Sequence, residues 1–210
     1  MSTLKKSLRN KFIKKRRAKN VKEIKFHFSE LFNFIKYKFD RKKIIIGGYY
    51  PSDFEADIMS FLKDASDKDY KLTLPAIEKK NLMNFKLWKF HEVLKVNKYG
   101  IPEPDLFKKK IVPDLILVPL VAFDKNCNRL GYGAGFYDRY LKKVIRIKKN
   151  FSCIGIAYNF QKHNKIPINK FDYKLDNIFT EKGFLNSFKW YYEDSFAWRH
   201  NGTIRKRSNL

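Results

Sequence analysis

The sequence predicts an α/β fold in which a mostly parallel, open sheet is flanked by helices. First, stretches with the period of a strand alternate along the chain with stretches that have the period of a helix. Second, residues 114–118 and 151–158 are almost continuously apolar, as is typical of strands buried on both faces. Third, a chain of 210 residues that is 44% hydrophobic can bury the core that such a fold needs. We therefore predict one domain over residues 1–186 and a basic, aromatic extension over residues 187–210.

The first half of the chain is predicted to open with two helices and to continue with strands. Leu4, Leu8 and Phe12 recur at helical spacing, and a clearer amphipathic stripe follows them. The segment KKIIIGGYY indicates a strand, and Pro75 is expected to close the next one. The elements predicted here are helices within 4–12 and 24–35, a strand at 42–50, a helix at 55–65, a strand at 70–74 and hairpin strands within 82–96.

The second half is predicted to supply the buried strands of the sheet. The elements predicted here are a strand at 114–118, a helix at 136–148, a strand at 151–158 and a last strand at 177–180. In such sheets ligands bind outside the carboxyl ends of the strands, where the connecting loops gather. We therefore expect the loops that follow Tyr50, Val118 and Tyr158 to converge at one edge of the sheet.

The most distinctive motif lies at residues 129–141 and reads RLGYGAGFYDRYL. Its three glycines, Gly131, Gly133 and Gly135, let backbone N–H groups approach a ligand closely. A helix that begins near Gly135 would add free N–H groups and a dipole that attract an anion, and Asp138 on its first turn is suited to hold a cation. The motif therefore predicts a site for nucleotide phosphates and magnesium.

Two common nucleotide-binding motifs are absent from this segment. It contains neither GxxxxGK followed by Ser or Thr nor GxGxxG, so the P-loop and the dinucleotide-binding classes lose support. A structural alternative is a glycine-rich turn that leads into an amphipathic helix, with Phe136, Tyr140 and Leu141 packed inward. The combination of the glycines with Arg129 and Asp138 favours the ligand site.

The chain is strongly basic, with a formal net charge of +25 from 46 Lys and Arg against 21 Asp and Glu. Such an excess is the electrostatic signature of nucleic-acid binding, and residues 187–210 add Trp190, Trp198 and a terminal RKR. A basic RNA-binding module with an idle nucleotide pocket is therefore the alternative function. The lysines are spread over nearly every predicted element, however, so we interpret the charge as compositional and expect no nucleic-acid partner.

The cysteines, the histidines and the hydropathy exclude several functional classes. The two cysteines lie outside any CxxC motif, so neither a disulfide framework nor a zinc site is expected. We predict Cys153 to be a core residue and Cys127 to be exposed in a polar turn. The four histidines lack triad partners. No stretch approaches the roughly 20 apolar residues of a membrane span. No apolar signal-peptide core follows the basic N-terminus, so we predict a cytoplasmic protein, with an Arg-rich transit peptide as the alternative.

The region around the glycine motif resembles the signature of a known family. Residues 114–141, DLILVPLVAFDKNCNRLGYGAGFYDRYL, are similar to the signature region of 5-formyltetrahydrofolate cyclo-ligases, also called 5,10-methenyltetrahydrofolate synthetases. Further stretches resemble family landmarks and occur in family order, namely KKSLRNKF, YYPSDFEADI, KLTLP, YGIPEPD and IGIAYNFQ. The resemblance covers roughly residues 4–181, and the agreement of several separated motifs makes it specific.

The resemblance implies both a fold and a reaction. The fold is an open three-layer α/β sandwich related to the ribose-phosphate isomerase and CoA-transferase group. The reaction is the ATP-dependent closure of 5-formyltetrahydrofolate to 5,10-methenyltetrahydrofolate through phosphorylation of the formyl oxygen, with release of ADP and phosphate. The implied partners are ATP, magnesium and the folate with or without a polyglutamate tail, and we expect a monomer.

The resemblance also implies roles in nucleotide binding. Lys5 and Arg9 share one helical face and match cations that reach nucleotide phosphates, although a solvated basic helix would carry the same pattern. Their equally basic neighbours are Lys6, Lys11, Lys14 and Lys15. Arg129 is matched as the catalytic cation and is expected to be exposed. The residues matched to ATP binding are Lys5, Arg9, Arg129, Leu130, Gly131, Tyr132, Gly133, Ala134, Gly135, Phe136 and Tyr137.

The folate and the metal are matched to a second set of residues. The residues matched to the folate are Tyr50, Glu55, Tyr132 and Phe136. Glu55 is suited to accept hydrogen bonds from pterin N–H groups, but a place in the first turn of a helix would explain it almost as well. Asp138 and Asp172 are matched to magnesium, and Asp176, one helical turn further, stays open as the alternative to Asp172. Ala134 stands where the family commonly has glycine or lysine.

Overall fold

A seven-stranded mixed sheet forms the centre of the molecule, and five of its strands are parallel neighbours. The computed structural model describes residues 3–39, 43–78 and 81–186. The strands are β1 (Ile45–Gly47), β2 (Lys71–Glu78), β3 (Leu82–Trp88), β4 (Lys95–Val96), β5 (Pro102–Glu103), β6 (Leu115–Pro119), β7 (Ala122–Phe123), β8 (Arg129–Leu130), β9 (Ser152–Ile156), β10 (Asn177–Thr180) and β11 (Gly183–Phe184). The main sheet has the order β11-β10-β9-β6-β1-β2-β3, with β3 and β11 as antiparallel edge strands. The prediction of a mostly parallel α/β sheet is confirmed.

Helices pack on both faces of this sheet. The helices are α1 (Thr3–Ala18), α2 (Ser29–Phe39), α3 (Met59–Asp67) and α4 (Phe136–Ile147). Alternate residues of β6 show the layers, because Leu115 and Leu117 belong to the core shared with α2 and α3, whereas Ile116 and Val118 belong to the core shared with α4. Both faces of β6 are therefore buried, which explains its continuous apolar sequence.

Helix α1 packs against the segments that leave the carboxyl ends of the strands. Leu8 and Phe12 are buried against Val121, Ala122 and Leu130, which follow β6 in the chain. Burial of such a side chain contributes about 1.5–3 kcal/mol, enough to hold the helix in place. This packing sets the basic side chains of α1 beside the loops at that edge of the sheet.

Two predicted helices begin later than the sequence suggests. Helix α2 begins at Ser29, because residues 24–28 are not helical and instead pack aromatic rings into the same core. The helix predicted over 55–65 is observed as α3, which begins at Met59. Asp57 accepts a hydrogen bond from the Met59 N–H at 2.7 Å and so caps the first turn. Residues 55 and 56, which were predicted to be helical, therefore lie in the loop before the helix.

Pro75 does not end its strand, contrary to the sequence prediction. Strand β2 continues to Glu78 and pairs with β3 along its whole length. Strand β1 pairs with β2 only as far as Thr73, so β2 has an open edge at Pro75. A proline without an N–H group is tolerated at such an edge.

Both cysteines are buried. Cys153 lies in the core beside α4, as predicted. The predicted exposure of Cys127 is wrong, because its turn folds back under the chain: the Leu175 N–H donates to the Cys127 carbonyl at 3.2 Å and the Asn186 side chain contacts its sulfur.

Two further predictions concern the membrane and the chain end. None of the helices in the described residues is both long and apolar enough to cross a membrane. The extension predicted at 187–210 lies outside the described residues, so the division into a domain and an extension stays a prediction.

Candidate functional site

The loops that follow β1 and β6 flank the topological switch point of the sheet. Strand β1 leads through α3 to β2 on one side, whereas β6 leads through α4 to β9 on the other side. In open α/β sheets the crevice at such a point is the usual place for a ligand. The loop after β1 carries Glu55, and the segment after β6 carries Arg129 and the glycine loop, which we define as residues 131–135.

The glycine loop leads directly into α4. Gly135 has a φ of 67° and caps the helix, and Gly133 has a φ of 109°. Both conformations favour glycine over other residues. The predicted start of a helix near Gly135 is confirmed, so the first N–H groups of α4, which lack partners within the helix, border the loop.

Two arginines hold the glycine loop at its ends. Arg9 donates from Nε to the Gly131 carbonyl at 2.8 Å, and Arg139 donates from Nη1 to the Ala134 carbonyl at 2.8 Å. Ala134 is exposed, whereas the side chain of Leu130 is buried against α1. Of the predicted nucleotide contacts, Leu130 therefore has only its backbone to offer.

Arg129 and Asp138 form an ion pair in which Arg129 is buried and Asp138 is partly buried. Arg129 is 8% exposed and donates from Nη2 to Asp138 Oδ1 at 2.7 Å and from Nη1 to the Tyr173 carbonyl at 2.6 Å. The Tyr173 N–H donates to the same Asp138 oxygen at 3.0 Å. The expectation that Arg129 is exposed is wrong, because its pairing with Phe123 in the β7–β8 ribbon draws it inward.

Lys5 and Asp172 form a second ion pair beside the first. Lys5 donates to Asp172 Oδ2, and the Asn169 N–H donates to the same oxygen at 2.6 Å. Asp172 directly precedes Tyr173, whose N–H contacts Asp138, so the two carboxylates predicted for magnesium lie in one region. The described residues contain no cluster of three or more His, Cys, Asp or Glu side chains suited to a metal ion. A cation here would therefore also need oxygen atoms from a ligand.

Asp176 is used elsewhere in the fold. Its Oδ2 accepts a hydrogen bond from the Cys153 N–H at 2.8 Å, at the amino end of β9. Burial raises the pKa of this carboxyl group, while the bond from the Cys153 N–H opposes the shift. The site loops lie at the carboxyl end of the strands, so the geometry groups Asp172 with Asp138 and leaves Asp176 apart.

Glu55 is turned inward by a strained turn. The Glu55 N–H donates to the Ser52 carbonyl at 2.9 Å, and both central residues have positive φ, 46° at Asp53 and 60° at Phe54. This is the pattern of a type I′ turn, and a phenylalanine there is strained. Glu55 therefore lies in a loop, and its predicted alternative role in the first turn of a helix is wrong.

The carboxyl group of Glu55 is almost completely buried. It is 8% exposed, and its Oε2 accepts hydrogen bonds from the Ser52 N–H at 2.9 Å and from the Ser52 hydroxyl at 3.2 Å. Burial raises its pKa, and the hydrogen bonds from Ser52 and Tyr132 and the charge of Arg16 only partly offset this effect. The site thus holds a carboxyl group that a ligand N–H would stabilise in its charged form.

Arg16 belongs to this site although the sequence analysis did not single it out. It is 1% exposed and donates from Nη2 to the Tyr132 hydroxyl at 2.6 Å, and its guanidinium lies 5.4 Å from the centre of the Tyr132 ring. The Tyr132 hydroxyl in turn contacts Glu55, so it links the guanidinium to the carboxyl group. The signal was present, since Arg16 shares a helical face with Lys5 and Arg9, but neighbouring basic residues obscured it.

Gln161 lies in the loop after Tyr158, one of the three loops that the sequence analysis expected to converge. It is buried, and its Nε2 donates to the carbonyls of Leu120 and Val121 at 2.9 Å each. Its Oε1 accepts a hydrogen bond from the Tyr158 N–H at 2.7 Å. Gln161 therefore ties the end of β9 to the end of β6, and the predicted convergence of the loops is confirmed.

The predicted aromatic contacts are only partly brought together. Tyr132 contacts Glu55, whereas Phe136 packs edge-on against the ring of Tyr99, with ring centres 5.8 Å apart. Tyr50 lines a separate groove of about 360 Å³. The other residues that line this groove include Met59, Trp88, Phe90, His91 and Leu94.

Comparisons with known proteins show the family to which the chain belongs. A sequence model of the 5-formyltetrahydrofolate cyclo-ligase family matches residues 1–181. The 5-formyltetrahydrofolate cyclo-ligase of Haemophilus influenzae is 32% identical over 136 residues, which cover 62% of this chain and 72% of the relative. That of Escherichia coli K12 is 30% identical over 134 residues, which cover 61% and 72%.

Two solved structures share the fold. The 5,10-methenyltetrahydrofolate synthetase of Aquifex aeolicus matches with a TM-score of 0.70 and 29% identity over 89% of this chain and 95% of that protein. The synthetase of Mycoplasma pneumoniae matches with a TM-score of 0.62 and 26% identity over 85% and 98%. The resemblance and the α/β fold inferred from the sequence are confirmed.

Proposed function

The chain belongs to the 5-formyltetrahydrofolate cyclo-ligase family, and we propose that it converts 5-formyltetrahydrofolate and ATP to 5,10-methenyltetrahydrofolate, ADP and phosphate. The observation that carries the proposal is the meeting of the glycine loop with buried Glu55 at the switch point of the sheet. The glycine loop is suited to bind phosphates, and the loop that carries Glu55 is suited to bind the N–H groups of a pterin. The two substrates of the reaction thus have adjoining places.

The nucleotide phosphates are proposed to bind at the glycine loop. The first turn of α4 supplies N–H groups and a favourable dipole there. Lys5 and Arg9 lie beside the loop, and Arg9 already contacts Gly131. Their positive charges attract phosphate oxygens, so these features together support the proposed triphosphate site.

Magnesium is proposed to bind between the phosphates and the carboxylates of Asp138 and Asp172. The described hydrogen bonds use Oδ1 of Asp138 and Oδ2 of Asp172. Magnesium usually takes one or two protein carboxylates and completes its shell with phosphates and water, so this donor set fits. When bound, the ion would supply positive charge to the phosphate oxygens.

The pterin is proposed to bind at Glu55 and Tyr132. The carboxylate of Glu55 is suited to accept hydrogen bonds from pterin N–H groups, and the ring of Tyr132 is suited to contact a flat apolar surface. Phe136 has less support, because its ring contacts Tyr99. Tyr50 is proposed to contact the more distant part of the folate through its groove, where a polyglutamate tail would also extend.

The proposed reaction has two stages. The formyl oxygen attacks the γ-phosphorus, a new phosphorus–oxygen bond forms as the bond to ADP breaks, and ADP leaves with the electron pair. The neighbouring folate nitrogen then attacks the formyl carbon and loses its proton, and phosphate departs with the former formyl oxygen. Such a transfer needs alignment and positive charge around the phosphoryl group more than it needs a protein nucleophile.

Arg129 is proposed to be a positioning residue in this scheme. Its guanidinium contacts Asp138 and the Tyr173 carbonyl, so it orients the carboxylate proposed for magnesium. We further propose a cytoplasmic location, because both cysteines are free thiols and a reducing compartment keeps thiols free. We also propose a monomeric state, which light scattering would test.

A spectrophotometric assay tests the proposal. The purified protein, supplied with ATP, magnesium and 5-formyltetrahydrofolate, is expected to produce the near-ultraviolet absorbance of the methenyl product and one ADP for each product. Omission of ATP serves as the control. With substrate labelled by ¹⁸O in the formyl group, the label is expected in phosphate. Absence of product in the complete mixture would contradict the proposal and favour an idle nucleotide pocket.

A further inference from the structure

Arg16 has hydrogen-bond donors that nothing in the described structure uses. Its Nη2 donates to Tyr132 and, at 3.3 Å, to Asp53, but its Nε and Nη1 are buried and have no hydrogen-bond partner within the described residues. Guanidinium remains charged in proteins. A buried donor without a partner costs about 1–3 kcal/mol, so these two donors are expected to bind a ligand or ordered water.

The positive charge of Arg16 is also incompletely balanced. Asp53 faces Arg16, but it accepts two hydrogen bonds from Arg17, at 2.7 and 2.9 Å. The Asp53 carboxylate is therefore shared by two guanidinium groups, and Arg16 reaches the other nearby carboxyl group, that of Glu55, only through the Tyr132 hydroxyl. Arg129 and Lys5, by contrast, each have a carboxylate partner within the site. Additional negative charge beside Arg16 would be stabilised.

Arg16 lies between the places proposed for the two substrates. It is seven residues after Arg9 on the same face of α1, which sets it about 10 Å further along the helix axis. Arg9 contacts Gly131 at the start of the glycine loop, and Arg16 contacts Tyr132, which reaches Glu55. The group that must pass between a triphosphate and a pterin is the phosphoryl group.

The glycine loop itself supplies no positive charge. Residues 130–137 read LGYGAGFY and contain no cation. Phosphoryl transfer is accelerated strongly where an arginine stabilises the charge that moves with the group. A cation for this purpose must therefore come from another element, and α1 presents one with unused donors.

Tyr132 covers Arg16 and is suited to move. Its ring lies over the guanidinium, and the residue as a whole is 39% exposed. It is flanked by two glycines, which have more accessible backbone conformations than other residues: Gly131, with open space where a side chain would stand, and Gly133, with a positive φ. A small shift of Tyr132 would open the donors of Arg16 toward the glycine loop.

We propose that Arg16 binds the phosphoryl group as it passes from ATP to the formyl oxygen, an inference that rests on the proposed function and refines its site. The bond that breaks joins the γ-phosphorus to ADP, and the bond that forms joins it to the formyl oxygen. Arg16 donates hydrogen bonds from Nε and Nη1 to the phosphoryl oxygens and leaves the electron balance unchanged.

The test compares Arg16→Met with Arg17→Met. Both variants remove a cation of α1 that contacts Asp53, but Arg17 is exposed and lies outside the site. ADP formation is measured in a single turnover with ATP and 5-formyltetrahydrofolate. Arg16→Met is expected to slow it about 100-fold or more with the KM for ATP within about threefold of the original protein, whereas Arg17→Met is expected to leave it unchanged. A rate within about threefold in Arg16→Met would overturn the proposal.

A second variant tests the proposal if the first one does not fold. If Arg16→Met does not fold, Arg16→Lys is measured, and it is expected to form ADP about tenfold more slowly, because lysine lacks the planar set of donors. If Arg16→Lys forms ADP as fast as the original protein, the proposal is overturned. The proposed function fails separately, if the original protein forms no methenyl product at all.

Discussion

Arg129 and Asp138 are joined by a hydrogen bond of 2.7 Å between Nη2 and Oδ1, and this pair couples the stability of the fold to the site. The side chain of Arg129 is 4% exposed and that of Asp138 is 27% exposed, so removal of Arg129 leaves a partly buried carboxylate without its positive charge and the Tyr173 carbonyl without its side-chain donor. Loss of one member of a buried pair is strongly destabilising. The site therefore cannot lose this arginine without some loss of stability.

We predict that Arg129→Ala lowers both the free energy of unfolding, by about 2 kcal/mol, and the rate of turnover. Urea denaturation and the absorbance assay measure the two effects. Arg146→Ala, which removes an exposed cation from the last turn of α4, is the matched control and is expected to change neither. Unchanged stability in Arg129→Ala would mean that the ion pair contributes nothing to the fold.

We predict that Asp138→Asn raises the magnesium concentration needed for half-maximal activity about tenfold, because an amide oxygen binds a divalent cation more weakly than a carboxylate. A magnesium titration of turnover measures this change. Asp176→Asn, which alters a carboxylate at the other end of β9, is the control and is expected to leave the titration unchanged. If both variants need the same magnesium concentration for half-maximal activity, Asp138 is not a ligand in the proposed metal site.

We predict that Glu55→Gln makes the protein more stable above mildly acidic pH but impairs folate binding. Burial raises the pKa of Glu55 in the folded state above the ordinary value of about 4.3, so the folded state retains its proton more tightly than the unfolded chain. The free energy of unfolding therefore falls as the pH rises between these two pKa values. A glutamine does not titrate, so its contribution to the free energy of unfolding does not change with pH. Glu55→Gln is therefore expected to be more stable than the original protein at pH values above the folded-state pKa of Glu55.

Denaturation curves across this pH range measure the difference, and Glu23→Gln, at an exposed position, is the control. The KM for the folate in Glu55→Gln is expected to rise about tenfold or more, since a charged hydrogen-bond acceptor is lost. A variant that is less stable than the original protein at neutral pH would contradict the assignment of Glu55 as a buried, destabilised carboxylate.

We predict that Phe54→Gly is more stable than Phe54→Ala by about 1 kcal/mol, the reverse of the usual order. Both substitutions remove the same half-exposed ring, so their difference reports on the positive φ of this position alone. Thermal denaturation measures it. If the alanine variant were the more stable, the strained turn before Glu55 would not exist in solution.

We predict that neither cysteine reacts with a thiol reagent in the native protein and that both react in urea. Cys127 and Cys153 are buried, and burial raises the pKa of each thiol, so little thiolate is present. A colorimetric thiol assay counts the reactive groups. Rapid reaction of one thiol without denaturant would show that the turn at Cys127 is open.

The architecture could be predicted from the sequence because its signals are local and periodic. The apolar run of β6 and the glycines before α4 each indicate their own structure, and both are observed. Pro75 could not be interpreted in this way, since its tolerance depends on where β1 stops pairing with β2. That is a property of neighbouring strands and not of the local sequence.

The site could be predicted only in part, for a related physical reason. The glycine loop and its cations follow from residue type and spacing, but the inward direction of Glu55 depends on a turn with positive φ at Phe54, which that residue type disfavours. The burial of Arg16 depends on contacts with Tyr132 and Asp53, more than thirty residues away in the chain. In a chain so rich in lysine and arginine, charge alone does not distinguish such a residue.

A crystal structure with a non-hydrolysable ATP analogue and 5-formyltetrahydrofolate tests the central claim most directly. The account predicts the γ-phosphate within hydrogen-bonding distance of N–H groups of the glycine loop and the pterin N–H groups on the carboxylate of Glu55. A nucleotide bound outside that loop, or a pterin that makes no contact with Glu55, would contradict it.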